Sequence, residues 1–262
     1  MGVINYLNKN NILVKRFFSS IILIFFALYI NHLGGIYLII ATFSASIVLL
    51  IELYKLFEIK VLQPIFIKNI LFYVISFLLI YYDQNNYLFI LFFLGFFVSF
   101  VIFKNKIFFI LLSYIYILLP LVLLVFLSKG SDGKTIIYWI FLVVWTTDVS
   151  GYIFGKIIKG PKLIPSISPN KTWSGFLSGI FLSGIFSIVF SFLIGNQNYI
   201  NFFFLGALGS IISSIGDLFE SKLKRLRNKK DVSNFIPGHG GLLDRLDGFL
   251  FAILYFYILS LF

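Results

Sequence analysis

The chain has 262 residues and no cysteine, which excludes disulfides and thiolate metal sites. Its two histidines, His32 and His239, are too few for a zinc centre built on imidazoles. Charged residues make up 12% of the chain, against about 25% in soluble domains. What fills the chain instead is apolar: 60% of residues are hydrophobic, 20% are aromatic, and the mean hydropathy is +1.01. A soluble fold of this length cannot hide that much apolar surface, because single cores stop growing with chain length. The composition therefore describes an integral membrane protein, with lipid as its main solvent. The first twenty residues offer no small-residue cleavage site behind a short apolar core, so a cleavable signal peptide is not expected. Tyr6, where Ser or Thr is needed, breaks the myristoylation pattern begun by Met1 and Gly2.

A membrane-crossing helix needs about 20 mainly apolar residues. The hydropathy pattern predicts an all-α, polytopic protein with about nine transmembrane helices. They fall at roughly 16–33, 36–54, 68–82, 86–103, 107–128, 135–157, 174–195, 200–219 and 244–262. All 21 basic residues except Lys129 and Lys134 fall on alternate links, and those links are expected to be cytoplasmic. The N-terminus is then cytoplasmic and the C-terminus outside. The same loops account for the net charge of +11 and would lie well on anionic lipid. No nucleic-acid partner is expected, because the basic residues are tied to membrane loops. Two cytoplasmic links are long, 158–173 and 220–243, and long ordered loops are often functional. Residues 1–134 read as a transmembrane scaffold of about five helices. Residues 135–262 read as the catalytic transmembrane region that carries both loops.

The first long loop reads IKGPKLIPSISPNKTWSG. Pro161, Pro165 and Pro169 bar a helix through its middle. Ser166, Ser168, Asn170, Lys171 and Thr172 then precede a span, and hydroxyls with a lysine at a helix N-terminus suit a phosphate. The same residues also read as a capped helix start with a cytoplasmic lysine. The pattern is not a P-loop, since no GxxxxGKS or GxxxxGKT string occurs. The second loop opens on a basic run, in which Lys229 reads as a plain surface charge, and closes on PGHGGLLDRLDG. Its glycines permit backbone shapes that side chains would block. Asp244 and Asp247, three apart, share a helix face. Two carboxylates so placed repel one another unless a cation stands between them. Hard divalent cations such as Mg²⁺ take oxygen ligands and share them with substrate phosphates. Asp217 and Glu220 repeat the spacing, and Asp148 lies inside a span, where an ionisable group is expensive and faces a polar interior. Carboxylates for metal, with lysines and arginines for phosphate, suggest phosphoryl or nucleotidyl transfer to a lipid. A transporter with a carboxylate relay is the rival of a different class. It would have no need of the glycine-rich turn or the dense basic loop.

The run SKLKRLRNKKDVSNFIPGHGGLLDRLD, Ser221–Asp247, resembles the hallmark of the phosphatidate cytidylyltransferase (CDP-diacylglycerol synthase) family. The pattern S-x-x-K-R, K-D, P-x-H-G-G and D-R-x-D is met by Ser221, Lys224, Arg225, Lys230, Asp231, Pro237, His239, Gly240, Gly241, Asp244, Arg245 and Asp247. The segments TDVSGYIFGK (147–156), SPNKTWSG (168–175) and GDLFES (216–221) also resemble family segments, and IELYKLF (51–57) is a faint echo. The motif-bearing resemblance covers about 147–248.

The resemblance implies transfer of CMP from CTP to phosphatidate, giving CDP-diacylglycerol and pyrophosphate for phospholipid biosynthesis. It also implies Mg²⁺ at a two-metal site whose second ion is unidentified, a homodimer, and a multi-pass place in the bacterial cytoplasmic (inner) membrane with the active site facing the cytoplasm. On that resemblance Asp217, Asp244 and Asp247 are expected to hold metal, with Asp148 as an additional candidate and Lys171 joining the three aspartates as catalytic. Ser168, Thr172, Ser221, Lys224, Arg225, Lys230, His239, Gly240, Gly241 and Arg245 are the expected substrate contacts. His239 is either a phosphate donor or a brace for the turn. The nearer rivals are a CTP-dependent lipid kinase and a CDP-alcohol phosphotransferase, and the D-G-x-x-A-R string of the latter is absent.

Overall fold

In hydrocarbon, every backbone N–H and C=O must find its partner inside the protein, and this chain answers with helices. A computed structural model describes residues 21–60, 63–102, 106–230, 232–233 and 240–261. The order is α1 (Ile21–Leu33), α2 (Gly35–Leu56), α3 (Pro64–Tyr81), α4 (Asn85–Ile102) and α5 (Ile107–Leu111). A π-helical stretch (Leu112–Leu118) and α6 (Leu119–Lys129) continue α5 without a break. Then come α7 (Gly133–Ile157), a ribbon of β1 (Lys162–Ile164) and β2 (Ser168–Thr172), α8 (Trp173–Leu193), α9 (Tyr199–Leu226) and α10 (Leu243–Leu259). Among the described residues, six helices are long and apolar enough to cross a membrane: α2, α3, Phe108–Lys129, α7, α8 and α9.

Two elements depart from the sequence expectation. α9 does not stop near 219 but runs for 28 residues to Leu226. At about 1.5 Å per residue it is about 42 Å long, beyond the roughly 30 Å of a hydrocarbon core. Residues 220–226 are therefore helix, not loop. Lys, Leu and Arg are good helix formers, Leu223 is buried, and Lys224 pairs with Glu220 one turn back at 2.6 Å. The 158–173 loop, in turn, adds a strand pair to a chain expected to be all-α. β1 and β2 pair antiparallel, with Lys162 opposite Thr172 and Ile164 opposite Ser168.

The chain divides into two compact units. One runs to Tyr114 and takes in Lys229–Arg245; the other comprises Ile115–Asn228 and the chain from Leu246. Lys229–Arg245 groups with the N-terminal helices, and the reason is visible at both its ends. Lys229 Nζ donates to the carbonyls of Lys55 at 2.9 Å and Leu56 at 3.5 Å, and pairs with Glu58 at 3.2 Å. It thus satisfies carbonyls left open at the end of α2, which corrects the reading of Lys229 as a plain surface charge. At the other end, Leu242 and Leu243 donate to Glu52.

Within the first unit, α2 packs on α3, α3 on α4 and α4 on α5. Tyr54 sets its ring edge-on to Phe66 and Phe109, with centroids 4.9 and 4.6 Å away. Such pairs are worth about 0.5–1.5 kcal/mol beyond area burial. Within the second unit, α7, α8 and α9 pack on one another through small residues, which let membrane helices approach closely. Thr147 Oγ1 lies 3.0 Å from Ser183 Oγ and donates to Ser210 Oγ at 2.8 Å, linking all three helices. Trp139 donates its indole N–H to Ser187 Oγ at 2.8 Å and stacks on Phe202 at 4.5 Å. Removing the acceptor leaves an indole N–H without its partner in an apolar surround. We expect Ser187→Ala to lower the stability of the detergent-solubilised protein by about 1 kcal/mol, and to cost much less on a Trp139→Phe background, as measured by a double-mutant unfolding cycle.

Candidate active site

The ribbon, the C-terminal part of α7, the start of α8 and α9 at Ser214 and Asp217 line a cleft of about 800 Å³ in the second unit, within the range of small-molecule sites. Asp148 and Asp217 line it, and so do Lys156, Lys159, Lys162 and Lys171. Four ammonium groups against two carboxylates leave the lining positive, which draws in an anionic substrate. The α7 end supplies Asp148 and Lys156, and β2 supplies Lys171 and Thr172. The expected capping role of Thr172 is observed: its hydroxyl accepts from Gly175 N–H at 3.2 Å, starting α8. The next residue back, Lys171, is thereby fixed at the helix entrance and donates to Asp217 Oδ2 at 2.8 Å.

Asp217 sits on α9 and Asp247 on α10, and close helix packing brings them together. A Cβ on Gly216 would lie 2.6 Å from the Asp247 carbonyl oxygen, and one on Gly248 would lie 2.5 Å from Ser213 Oγ and 2.7 Å from Asp217 Oδ1. Only glycine permits that approach on either side. Gly248 N–H donates to Asp247 Oδ1 at 2.9 Å, so both carboxylates reach the same glycine. Asp217, Glu220 and Asp148 all exert their charge on Asp247. Four carboxylates thus crowd one region of the second unit. Two lysines offset part of that charge. Lys171 holds Asp217, and Lys224 holds the fully buried Glu220. Removing one partner of a buried pair costs about 3–5 kcal/mol, so Lys224 has a structural task in addition to any substrate contact.

The donor chemistry suits a hard cation, since Asp217 and Asp247 each bring a carboxylate oxygen to Gly248. Among the described residues, no three His, Cys, Asp or Glu stand close enough to hold one ion between them. An ion here would complete its shell with water and substrate oxygens, as Mg²⁺ commonly does.

The remaining expected residues are placed as follows. Ser168 begins β2, opposite Ile164. Ser221 and Arg225 lie on the last turns of α9, and Arg225 Nε donates to the Ile167 carbonyl at 3.3 Å, bracing the ribbon. Lys230 and Arg245 are exposed. In the first unit, Asp244 Oδ2 accepts from Gly241 N–H at 2.9 Å and Val232 N–H at 3.3 Å. Gly240 adopts φ +87°, a left-handed shape natural to glycine. His239, with Asp231 and Pro237, lies outside the described residues. The sequence reading missed Lys156, Lys159 and Lys162 as cleft residues, because their charge was fully accounted for by orientation. It also treated Glu52 as scaffold, although its carboxylate is buried and accepts three hydrogen bonds.

Residues 14–262 match the family described as the cytidylyltransferase family. The chain belongs to this family. It is similar to a phosphatidate cytidylyltransferase of Rickettsia conorii, 36% identical over 159 residues that cover 58% of this chain and 69% of the relative. The corresponding protein of Rickettsia bellii is 39% identical over 161 residues, covering 58% and 70%. That of Staphylococcus haemolyticus is 44% identical over 129 residues, covering 49% and 50%. As a cytidylyltransferase, the chain must bind a nucleoside triphosphate, and the lysine-lined cleft has the charge for one. A methyl at Gly248 would force α9 and α10 apart and displace Asp217. Overpacking of this kind costs about 1–3 kcal/mol. We expect Gly248→Ala to insert in the membrane yet lose about 10²-fold in turnover, measured by cytidylyl transfer in detergent or nanodiscs.

Proposed function

We propose that the chain transfers CMP from CTP to phosphatidate, giving CDP-diacylglycerol and pyrophosphate. The observation that carries the reading is the Lys171–Asp217 ion pair at the wall of a lysine-lined cleft, in a chain of this family. A phosphatidate oxygen attacks the α-phosphorus of CTP, the bond from that phosphorus to the β-phosphate oxygen breaks, and pyrophosphate leaves. Transfers of this kind depend on positioning and charge neutralisation more than on covalent help from the protein. Lys156, Lys159 and Lys162 bind the anionic oxygens, and Lys171, fixed by Asp217 and by the Thr172 cap, orients them. Asp217 and Asp247, with Asp148 as an additional candidate, would hold Mg²⁺, which would supply further neutralisation of the phosphates. Asp244 is also a metal ligand in this proposal. The Gly240–Gly241 turn and Arg245 serve the nucleotide.

The chain crosses the membrane about nine times in this reading, with its N-terminus in the cytoplasm. The lysine-rich ribbon and the end of α9 then lie on the cytoplasmic side of the inner membrane, where CTP is available. Phosphatidate keeps its acyl chains in lipid and presents only its headgroup. A homodimer is part of the proposal.

Purified protein with labelled CTP, phosphatidate and Mg²⁺ is expected to release CDP-diacylglycerol and pyrophosphate in equal amounts. Absence of both products overturns the reading, and solute movement across liposomes without nucleotide would favour a transporter instead. Asp217→Asn is expected to cut turnover by about 10²-fold or more, while an unchanged rate would remove Asp217 from the site.

A further inference from the structure

Glu52 lies on α2, within a stretch whose other features are those of a membrane helix. It is 1% exposed. A carboxylate in that position is costly unless it is well satisfied, and this one is. Its Oε1 accepts from Leu242 N–H at 2.9 Å and Ser233 Oγ–H at 2.5 Å, and its Oε2 accepts from Leu243 N–H at 2.7 Å. Leu243 begins α10 and Leu242 immediately precedes it, and the first N–H groups of a helix have no partner within it. The negative charge also meets the positive end of the helix dipole. Glu52 therefore caps α10 from a residue almost two hundred positions earlier in the chain.

The glycine that precedes these two leucines explains why the contact is close. A Cβ on Gly241 would lie 2.9 Å from Glu52 Oε1 and 3.0 Å from Asp244 Oδ2. Asp244 Oδ2 takes the Gly241 N–H itself. The two carboxylates thus grip consecutive backbone amides, Asp244 at 241 and Glu52 at 242 and 243. Ser233, bonded to Glu52 Oε1, ties in the strand of chain that leads to the turn.

We propose that Glu52 is a positioning residue for the transfer reaction. It fixes the Gly240–Gly241 turn and the first turn of α10, and through them the carboxylate of Asp244. This rests on the reading that Asp244 and the turn serve CMP transfer. Glutamine has the same shape but presents an NH₂ where one oxygen was, so it sets donor against donor at Leu243 and releases that amide. Glu52→Gln is expected to lower kcat by about 10²-fold with KM for CTP little changed, at temperatures well below its melting midpoint. Glu52→Asp keeps the charge and should recover part of the loss.

Hydrogen exchange in the full-length protein gives a readout independent of turnover. The Leu242 and Leu243 amides should exchange at least tenfold faster in Glu52→Gln, with α7 and α8 unchanged. Gly241→Ala attacks the same contact from the turn side, and serves if Glu52→Gln does not fold. Because both changes act on one unit, the double variant should be no slower than the slower single one. Multiplied losses, or wild-type kcat together with wild-type exchange in Glu52→Gln, would overturn the proposal. Faster exchange in a protein whose wild type makes no CDP-diacylglycerol would instead overturn the functional reading and leave the cap standing.

Discussion

Asp217 is carried on a helix of mostly apolar and small residues, and its charge is held there by one ammonium group. Lys171 reaches it at 2.8 Å, and that ion pair ties the ribbon to α9. The cleft owes its shape to this tie. The ribbon is also held by Arg225 at the Ile167 carbonyl and, where it meets α8, by the Thr172 cap and the Trp173 N–H bond to the Pro161 carbonyl. The pair also sets the charge of the wall, because Lys171 is neutralised on the protein side while Lys156, Lys159 and Lys162 line the same cavity. A ligand carrying several negative charges meets a site prepared for it, with no need to reorganise the helices.

The carboxylates are gathered by the absence of side chains. Gly216 and Gly248 let α9 and α10 approach until Asp217 and Asp247 lie against the same backbone. Serine and threonine do related work deeper down, where Thr147, Ser183 and Ser210 join three helices in a region that lipid would otherwise leave without polar partners. Small residues thus serve packing in the membrane and chemistry at its edge through the same close approach.

Much of this was legible in the sequence, and the limits have physical causes. Spans are read from hydropathy because lipid enforces it, and α2, α3, α7 and α8 fall close to their expected ranges. Thr172 was readable as a cap because capping is local. The end of α9 was not, since hydropathy marks where a helix leaves lipid and not where it stops being a helix. Lys171 and Asp217 were named as site residues, but their ion pair joins positions 46 apart in sequence and no local pattern announces it. Lys229 and Glu52 were misjudged for the same reason. A lysine after a basic helix end looks like an orientation signal, and a glutamate among leucines looks like scaffold, until the chain returns and uses each to close a helix end.

In the proposed reaction the nucleotide lies against the ribbon, the C-terminal part of α7 and α9 at Ser214 and Asp217. Photocrosslinking with an azido-CTP analogue, followed by peptide mapping, tests it most directly. Label is expected on residues 148–176 and 214–217, lost when unlabelled CTP competes. Competable label confined to peptides outside these ranges would contradict it.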